Sequence, residues 1–433
     1  MLIEFTVGNF RSFKEPVTLS MVAANTKARD PKVNENNTIV IDDKLTLLTS
    51  AAIYGANASG KSNMIRALAF MRRLVISSSK DSQADEPIDY SPFLLNTATE
   101  NAPSLFQVIF RLDDGITYRY GFEVDGQHVS AEWLFRASTS KETRLFIREN
   151  DNIQTARTFK EAKGLKEKTR SNALFLSVVA QWNGAIAAKV LSWFRALAII
   201  SGLDDTAYRN FTTKRFADGK LRDKIVNLVK ELDLGISDIF SEEINKAEVV
   251  LPKNMPDDLK TLLMNNMDDS MVRIKTLHAK WDSEGKPVKS EVFGLTENES
   301  EGTQKLFYLT GPLLDVLENR HVLIIDEIEA RLHPLMTRAI IQKFNSIESN
   351  PRRVQLIFTT HDTNLLSNKF FRRDQIWFVE KDQQGSSHTY SLAEIKIKVK
   401  VRNDASFEDD YIEGRYGAIP YLGKVQHIYL GEG

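Results

Sequence analysis

The hydrophobic and polar positions of the chain change their period along its length, and the clearest pattern begins at Thr303. From there, segments with helical spacing alternate with short apolar runs. The pattern predicts helices at 303–318, 334–348 and 363–370, each followed by a strand, with the strands at 321–325, 355–359 and 375–380. Strands that alternate with helices pair in parallel, so this region predicts a doubly wound α/β sheet.

The first 150 residues predict strands with one helix. Residues 2–7 alternate between apolar and polar faces, 45–54 form a second strand candidate, and 63–76 have helical spacing. Residues 104–148 have the short strand-like runs and Asp-Gly turns of an antiparallel meander. Its expected strands are 105–112, 117–124, 131–135 and 144–148.

The middle of the chain predicts a compact insertion. We expect helices at 173–200 and 219–233, and strand-like pieces near 272–277 and 288–293. No heptad pattern runs through this region, which argues against a coiled coil. We therefore divide the chain into an N-terminal lobe (1–150) with an antiparallel β subdomain, a mainly helical lid (151–295) and a C-terminal lobe (296–433).

Charge excludes a strong bulk attraction to nucleic acid or to an anionic membrane. The 433 residues include 57 Lys and Arg against 58 Asp and Glu, a net charge of −1. Two segments are locally basic, 157–170 and the alternating 396–402. Each has two interpretations: a solvated surface loop or a lysine-protected edge strand on one side, and a contact to nucleic acid phosphates on the other.

Cysteine is absent, which excludes disulfides, zinc–thiolate sites and thiol nucleophiles and suits a reducing cytoplasm. The N-terminus lacks the basic flank and apolar run of a signal peptide. Polar residues interrupt the apolar stretch 173–201, so we expect a buried or interfacial helix there and no membrane span.

A glycine-rich loop between the strand 45–54 and the helix 63–76 carries the main chemical signal. It fits the pattern G-x-x-x-x-G-K-[ST] in full. In such loops the backbone amides and the following helix N-terminus bind phosphate, the lysine reaches the β- and γ-phosphates, and the hydroxyl binds Mg²⁺. The sequence therefore predicts ATP as ligand. The expected contacts are Gly55, Ala56, Asn57, Ala58, Ser59, Gly60, Lys61 and Ser62.

Acidic residues follow the buried strand 321–325. Asp326 stands at its carboxyl end, where ligands bind in parallel sheets, and we expect it to hold Mg²⁺. Glu327 comes next and is our candidate to polarise the attacking water. His361 follows the strand 355–359, and an imidazole there could donate a hydrogen bond to a γ-phosphate.

Several blocks resemble the ABC-type ATPases of the SMC, RecF and OLD group. Residues 9–13 (NFRSF) are similar to that group's N-terminal element, residues 300–304 (SEGTQ) to its signature, residues 329–334 to its D-loop and residues 360–362 to its switch histidine. The stand-alone AAA15-type ATPases, which include RloA-like and abortive-infection proteins, are most similar, because residues 376–382 and 411–420 resemble their C-terminal elements. The short insertion and tail leave no room for a coiled coil or a full TOPRIM nuclease domain.

The resemblance implies a mechanism. Two subunits would pack head to tail and enclose two ATP molecules, each held by the glycine loop of one chain and by Ser300 and Gly302 of the other. It also implies that Arg11 and Gln304 contact nucleotide. Hydrolysis would then separate the subunits. No glutamine stands near 91–93, where the family's Q-loop would fall.

Three functions remain open at this point. The first is an ATP-dependent switch that regulates a separate effector, such as a nuclease, in prokaryotic anti-phage defence. The second is a DNA-repair ATPase similar to RecF that clamps DNA through the basic segments. The third is a metal-dependent nuclease in the same chain, using Glu380, Asp382 and the acids at 408–410.

Overall fold

The computed structural model describes residues 1–80, 83, 86–138, 141–232, 235–245, 256, 258, 270–319, 322–395 and 406–419. The basic segment 396–402 and Pro420, both singled out in the sequence, lie outside the described residues.

The strands, in chain order, are β1 (Leu2–Gly8), β2 (Val17–Ser20), β3 (Thr38–Val40), β4 (Thr46–Leu48), β5 (Ser50–Tyr54), β6 (Ser104–Arg111), β7 (Thr117–Val124), β8 (Val129–Ala137), β9 (Thr143–Glu149), β10 (Asn152–Thr155), β11 (Leu197–Ser201), β12 (Ile236–Asn245), β13 (Ser270–Trp281), β14 (Pro287–Gly294), β15 (Val322–Asp326), β16 (Gln355–Thr359), β17 (Ile376–Lys381) and β18 (Ser387–Ser391). The α-helices are α1 (Pro31–Asn37), α2 (Lys61–Ser77), α3 (Phe175–Gln181), α4 (Ala185–Ala196), α5 (Thr206–Ala217), α6 (Arg222–Glu231), α7 (Leu295–Asn298), α8 (Glu301–Asn319), α9 (Pro334–Phe344) and α10 (Phe407–Ile412).

The chain divides into two compact units that do not follow a single break in the sequence. The first unit holds Met1–Ile199, Arg320–Ile328 and Arg338–Gly433, and the second holds Ile200–Asn319 and Glu329–Thr337. Our division into three lobes, at 150 and 295, stays a prediction.

A mostly parallel sheet forms the centre of the first unit and confirms the predicted α/β fold. Its strand order is β11-β15-β16-β5-β17-β18. Strands β15, β16, β5 and β17 are parallel, and β18 closes the edge antiparallel to β17. Val322–Ile325 of β15 and all five residues of β16 are buried, as expected for a sheet covered on both faces.

A seven-stranded antiparallel sheet packs in the same unit, in the order β10-β9-β8-β7-β6-β1-β2. This is the predicted meander, extended by the N-terminal hairpin. Helix α2 contacts β15 of one sheet and β1 and β6 of the other, so it lies between them. Its apolar side chains are buried on both flanks, and Phe70 packs 4.9 Å from Phe106 of β6 between ring centroids. Burial on two sides fixes the helix that follows the glycine loop.

The second unit contains helices α5, α6, α7 and α8 together with the antiparallel sheet β12-β13-β14. Helix α8 packs against both α5 and α6. Phe216 of α5 lies 5.4 Å from Phe307 of α8 between ring centroids. The outer strand β14 is exposed along nearly its whole length.

Two expected helices differ from the structure. The helix predicted at 363–370 is wrong: only the 3₁₀ turn Thr363–Leu365 forms there, because the Asp362 carboxylate binds the Asn364 amide and fixes a tight turn. The helix predicted at 173–200 is interrupted at Asn183, which has a φ of +63°, and ends where β11 begins. Within the described ranges, no helix is long and apolar enough to cross a membrane.

Candidate functional site

The glycine loop joins β5 to α2 as the sequence predicts. Gly55 has a φ of +153°, and a Cβ there would lie 2.3 Å from the Val379 carbonyl oxygen. Gly60 caps α2 with a φ of +118°. Both positions are left-handed and crowded, so glycine alone fits them without strain. Inside the loop, Lys61 Nζ donates to the Gly55 and Ala56 carbonyls at 2.8 and 3.1 Å, which holds the ammonium in the curve of the backbone.

Three polar side chains and one amide connect the loop to the carboxyl ends of β15 and β16. Ser62 Oγ donates to Asp326 Oδ1 at 3.0 Å, and Thr359 Oγ1 donates to the same oxygen at 2.6 Å. Thr359 Oγ1 in turn accepts the Glu327 amide at 2.7 Å. Glu327 has a φ of +54°, an uncommon backbone conformation for a non-glycine residue, and it is half-buried. The bond from Thr359 therefore holds a strained residue in place.

His361 stands two residues after Thr359 and is exposed at the same edge of the sheet. The parallel register pairs Ile325 with Phe358, so His361 follows β16 where Asp326 and Glu327 follow β15. The structure thus places these three predicted residues at the carboxyl ends of adjacent strands, next to the glycine loop.

The N-terminal NFRSF block (residues 9–13) contacts the glycine loop through Ser12, a residue that was not among the predicted site residues. Asn63 Nδ2 donates to Ser12 Oγ at 2.8 Å, and the Ser387 amide donates to the Ser12 carbonyl at 2.6 Å. Ser387 Oγ then donates to the Ser59 carbonyl at 2.5 Å. A Cβ at Gly60 would lie 2.5 Å from Ser387 Oγ and 2.7 Å from Ser12 Oγ. Two buried serines therefore fix the far side of the loop.

Arg11 was expected to contact nucleotide, but it lines a pocket that is separate from the glycine loop. Arg11, Arg66 and Arg73 line a pocket of about 250 Å³ with Phe10 and Phe70. None of the glycine-loop residues lines that pocket. The nucleotide contact of Arg11 therefore stays a prediction.

A cleft of about 880 Å³ opens beside the glycine loop. Its walls are Ala56–Ser59, Val379–Gln383, Ala418 and Ile419. Ala418 and Ile419 belong to the segment 411–420, so this segment forms one wall of the cleft beside the glycine loop. Segment 406–419 packs on the β17–β18 hairpin: the ring of Tyr411 stacks on Phe378 at 5.5 Å. This docking brings Ala418 next to the loop.

Hydrogen bonds fasten the same segment to the hairpin. Tyr390 Oη donates to Glu380 Oε2 at 3.1 Å and to the Tyr416 carbonyl at 2.8 Å, two alternatives for one proton. Burial, followed by the charge of Glu380, raises the pKa of the Tyr390 hydroxyl, so this donor keeps its proton. Gly417 has a φ of +71° and a Cβ there would lie 2.7 Å from Tyr390 Oη, which requires glycine.

The signature residues lie in the second unit. Ser300 is exposed and precedes α8, Gly302 lies in its first turn, and the Ser300 hydroxyl accepts the Thr303 amide at 3.2 Å. Gln304 Nε2 donates to the Glu299 carbonyl at 2.9 Å. The helix N-terminus is thereby presented with a hydroxyl beside it, a geometry that suits an anion.

The oxygen atoms at the loop fit Mg²⁺. Ser62 Oγ and Asp326 Oδ1 are one hydroxyl and one carboxylate oxygen, and Mg²⁺ typically uses one or two carboxylates with substrate phosphates and water. In the part of the chain that the structure describes, no group of three or more His, Asp or Glu side chains could hold a metal by itself. A magnesium ion at this position would therefore complete its shell with phosphate and water oxygens.

Sequence reasoning missed Thr359, Ser387 and the supporting role of Ser12. Ser12 belongs to the NFRSF block, so its position carried a signal. Thr359 ends a predicted strand beside the predicted Asp326, and the expected register could have suggested the contact. Ser387 had no signal, because its contact to the loop depends on how the β17–β18 hairpin folds back.

A glycine loop between a parallel strand and a helix, with an acidic residue at the end of a neighbouring strand, defines a P-loop NTPase. The family model described as "AAA domain, putative AbiEii toxin, Type IV TA system" matches residues 50–367. The chain belongs to this family. The match covers the loop, the signature and the strands that end at Asp326 and Thr359.

Among solved structures, the chain is similar to the SMC head domain from Thermotoga maritima. The likeness covers 92% of this chain and 99% of that chain, at 13% sequence identity and a TM-score of 0.39. Comparison with curated proteins finds no match.

Proposed function

We propose that this protein binds and hydrolyses ATP with Mg²⁺, pairs with a second copy of itself in the ATP-bound state, and thereby regulates a separate effector. The observation that carries the proposal is the chain of contacts from Ser62 through Asp326 and Thr359 to Glu327. It joins a phosphate-binding loop to a strained carboxylate, which is more than nucleotide binding alone requires.

The proposal gives each site residue a role. The amides of residues 55–60 and the N-terminus of α2 would bind the phosphates. Lys61 would neutralise charge on the β- and γ-phosphates, and Ser62 and Asp326 would hold the magnesium ion, which offsets charge in phosphoryl transfer. Glu327 would polarise the water, and His361 would donate to the γ-phosphate.

Pairing of two chains is supported by the signature. Ser300 is exposed at the N-terminus of α8 and Gly302 is half-buried in its first turn, an arrangement that suits a phosphate presented by a partner. Gln304 would add a contact at the same helix end, and Arg11 would act on the nucleotide from the N-terminal turn. The homodimer and both contacts belong to the proposal.

The effector and the biological role are supported by family membership. The family description refers to a putative toxin of a type IV toxin–antitoxin system. We propose that this chain acts in prokaryotic anti-phage defence, with an effector encoded as a separate protein. A fold shared by many functions does not identify that effector.

Size-exclusion chromatography with light scattering tests the proposal. Glu327→Gln should bind ATP, hydrolyse it slowly and elute as a dimer only with ATP and Mg²⁺. Lys61→Ala should neither bind ATP nor dimerise. Glu348→Gln makes the same chemical change in an exposed turn and is the matched control. If Glu327→Gln binds ATP and stays monomeric, the pairing mechanism is wrong.

A DNA clamp is the second candidate function, and one observation favours it. Three guanidinium groups, from Arg11, Arg66 and Arg73, share one pocket with Asp89 as its only carboxylate. Such a cluster could contact phosphodiesters. Filter retention of duplex DNA across a salt series, with and without ATP, tests this: binding that is unaffected by Arg66→Gln with Arg73→Gln argues against the pocket.

The nuclease alternative gains no support from the geometry. Asp410 is buried and bound by Arg415 and Tyr416 at 2.8 and 2.9 Å, and Glu408 accepts Thr363 at 2.8 Å. Glu380 faces Tyr390, and Asp382 caps the β17–β18 turn. The contacts of these acids hold the fold together.

A further inference from the structure

The residue immediately before the signature is held by the three-stranded sheet of the second unit. Glu299 Oε1 accepts the Thr276 hydroxyl at 2.5 Å and lies 2.6 Å from His278 Nε2. A carboxylate carries no proton, so the imidazole N–H donates. Thr276 and His278 both belong to β13. Two side chains of one strand thus donate hydrogen bonds to the same carboxylate oxygen.

This contact is shielded from water. The Thr276 residue is fully buried, and the side chains of Glu299 and His278 are 10% and 21% exposed. The ring of His278 also packs on Phe293 of β14 at 4.8 Å. Hydrogen bonds to a charged group at such a site are stronger than exposed ones. We call Thr276, His278 and Glu299 the clamp. Because these contacts are largely buried, the clamp fixes the position of the Glu299 side chain.

Glu299 also determines the shape of the signature itself. Its carbonyl accepts Gln304 Nε2 at 2.9 Å, and the Ser300 carbonyl accepts the Gln304 amide at 3.0 Å. The side chain of Glu299 is held by β13 while its backbone holds the first turn of α8. A displacement of β13 would consequently move the backbone that carries Ser300.

On the other side, the D-loop confines the same helix turn. Lys305 is buried and donates to the Gly202 carbonyl at 2.5 Å and to the Ala330 carbonyl. A Cβ at Gly302 would lie 3.0 Å from the Arg331 carbonyl oxygen. The signature turn thus lies between the D-loop and the clamp and contacts both.

The sheet that forms the clamp extends into solvent. In β13 and β14, Trp281, Val288 and Val292 are 58%, 63% and 51% exposed. The antiparallel register pairs Leu277 with Val292, and Trp281 lies near the outer end of the same hairpin. The ladder between β13 and β14 is regular from Lys275 to Lys280 and shifts register before Trp281. A partner bound at this outer end would therefore act on Glu299 through β13, the strand that carries Thr276 and His278.

We propose that Thr276 and His278 are positioning residues that set the conformation of the signature through Glu299, so that the sheet β12-β13-β14 governs ATP-driven pairing of two chains. The inference rests on the proposed function, since it names the residues that would control formation of the proposed dimer. It predicts a separation of effects: nucleotide binding at the glycine loop stays intact while pairing and turnover change.

The test uses full-length variants. Glu299→Ala removes both contacts, and Thr276→Val with His278→Leu removes both donors. Each should leave the Kd for a fluorescent ATP analogue within about twofold and lower kcat by roughly tenfold or more, the loss expected from hydrogen bonds to a charged group. Combined with Glu327→Gln, each should raise the concentration needed for ATP-dependent dimerisation by a similar factor.

Controls separate positioning from general damage. Glu299→Gln keeps a carbonyl oxygen for both donors and should restore kcat. Glu291→Gln changes an exposed carboxylate of the same sheet, 3.0 Å from Lys280, and should behave as wild type. Combining Glu299→Ala with the double variant should add nothing, because all of them break one interaction.

Two results overturn the inference: unchanged kcat and pairing in Glu299→Ala, or loss of ATP binding in parallel with kcat, which would show a structural role alone. Failure of the proposed function is distinguishable. If the parent Glu327→Gln protein stays monomeric with ATP, the dimer is absent whatever the clamp does. If that parent dimerises and the clamp variants dimerise equally well, only the clamp is wrong.

Discussion

Thr359→Val is the sharpest test of the site geometry. Thr359 is fully buried, and its hydroxyl joins Asp326 to the Glu327 amide. Valine has nearly the same shape and no hydroxyl, so the change removes two hydrogen bonds with little change in packing. Asp326 keeps its contact to Ser62, whereas the Glu327 amide loses the partner that the threonine gives it.

The magnitude follows from these two bonds. A bond to a charged carboxylate is worth about 1.5–3 kcal/mol and a neutral one about 1 kcal/mol, so the free energy of unfolding should fall by roughly 3 kcal/mol. The effect on turnover comes from Glu327, whose φ of +54° is unfavourable for a residue with a side chain. Without Thr359 it can relax, and a misplaced carboxylate should lower kcat about 10- to 100-fold.

Urea denaturation followed by fluorescence and a phosphate-release assay measure the two quantities. Thr359→Ser keeps the hydroxyl and is the matched control, and it should retain most of the kcat. The reasoning is refuted if Thr359→Val unfolds within about 0.5 kcal/mol of wild type, the range of ordinary surface substitutions, and turns over ATP at the same rate.

Three further predictions concern other positions. Gly60→Ala should abolish binding of a fluorescent ATP analogue, because a Cβ at a φ of +118° would lie 2.5 Å from Ser387 Oγ. Asp374→Ala should lower the free energy of unfolding by about 3–5 kcal/mol in urea titrations, because it leaves the buried Arg372 without its carboxylate partner at 2.6 Å. Burial raises the pKa of Glu132, so the folded state keeps that proton to higher pH than the unfolded chain. The free energy of unfolding of wild type relative to Glu132→Gln should therefore fall as pH rises above about 4.3 and level off above the folded pKa of Glu132. A difference that is constant or rises with pH would contradict the raised pKa of Glu132.

Much of the fold could be predicted because its signals are local. The strand 355–359 has the predicted bounds, and β6 and β7 match the predicted meander within one residue. Buried strands of a parallel sheet are short unbroken apolar runs, and hairpins are marked by Asp-Gly turns. The glycine loop is equally local, since phosphate binding by backbone amides needs glycines at fixed spacing.

Elements were missed where the pattern was weak or the decisive contact distant. Helix α5 buries only Tyr208, Thr212 and Phe216, a single stripe that includes a polar residue, so its periodicity does not stand out. The break at Asn183 followed by Gly184 is a helix-stop signal inside an apolar stretch, and the apolar composition concealed it.

The site residues differ in the same way: some could be predicted from the local sequence, and others depend on contacts between distant segments. Asp326 and Glu327 were predictable because each needs only the end of a buried strand. The function of Thr359 was not, because its hydroxyl acquires a role only when β15 and β16 pair in a register that places it beside Asp326. The same holds for Ser12 and Ser387, which lie 375 positions apart and meet at Gly60.

The residues of the proposed chemistry fall into two sets, and the contacts within each set lie inside one unit. Ser62, Asp326, Thr359 and Glu327 contact one another within the first unit. Under the proposed function, we expect nucleotide to bind to this set without the signature. The signature turn is held by β13 and the D-loop within the second unit. If both sets must meet on one nucleotide, as the proposed function requires, the first set would determine ATP binding and the second the timing of hydrolysis. We therefore expect a signal that acts on the sheet β12-β13-β14 to change the rate of hydrolysis without changing the affinity for ATP.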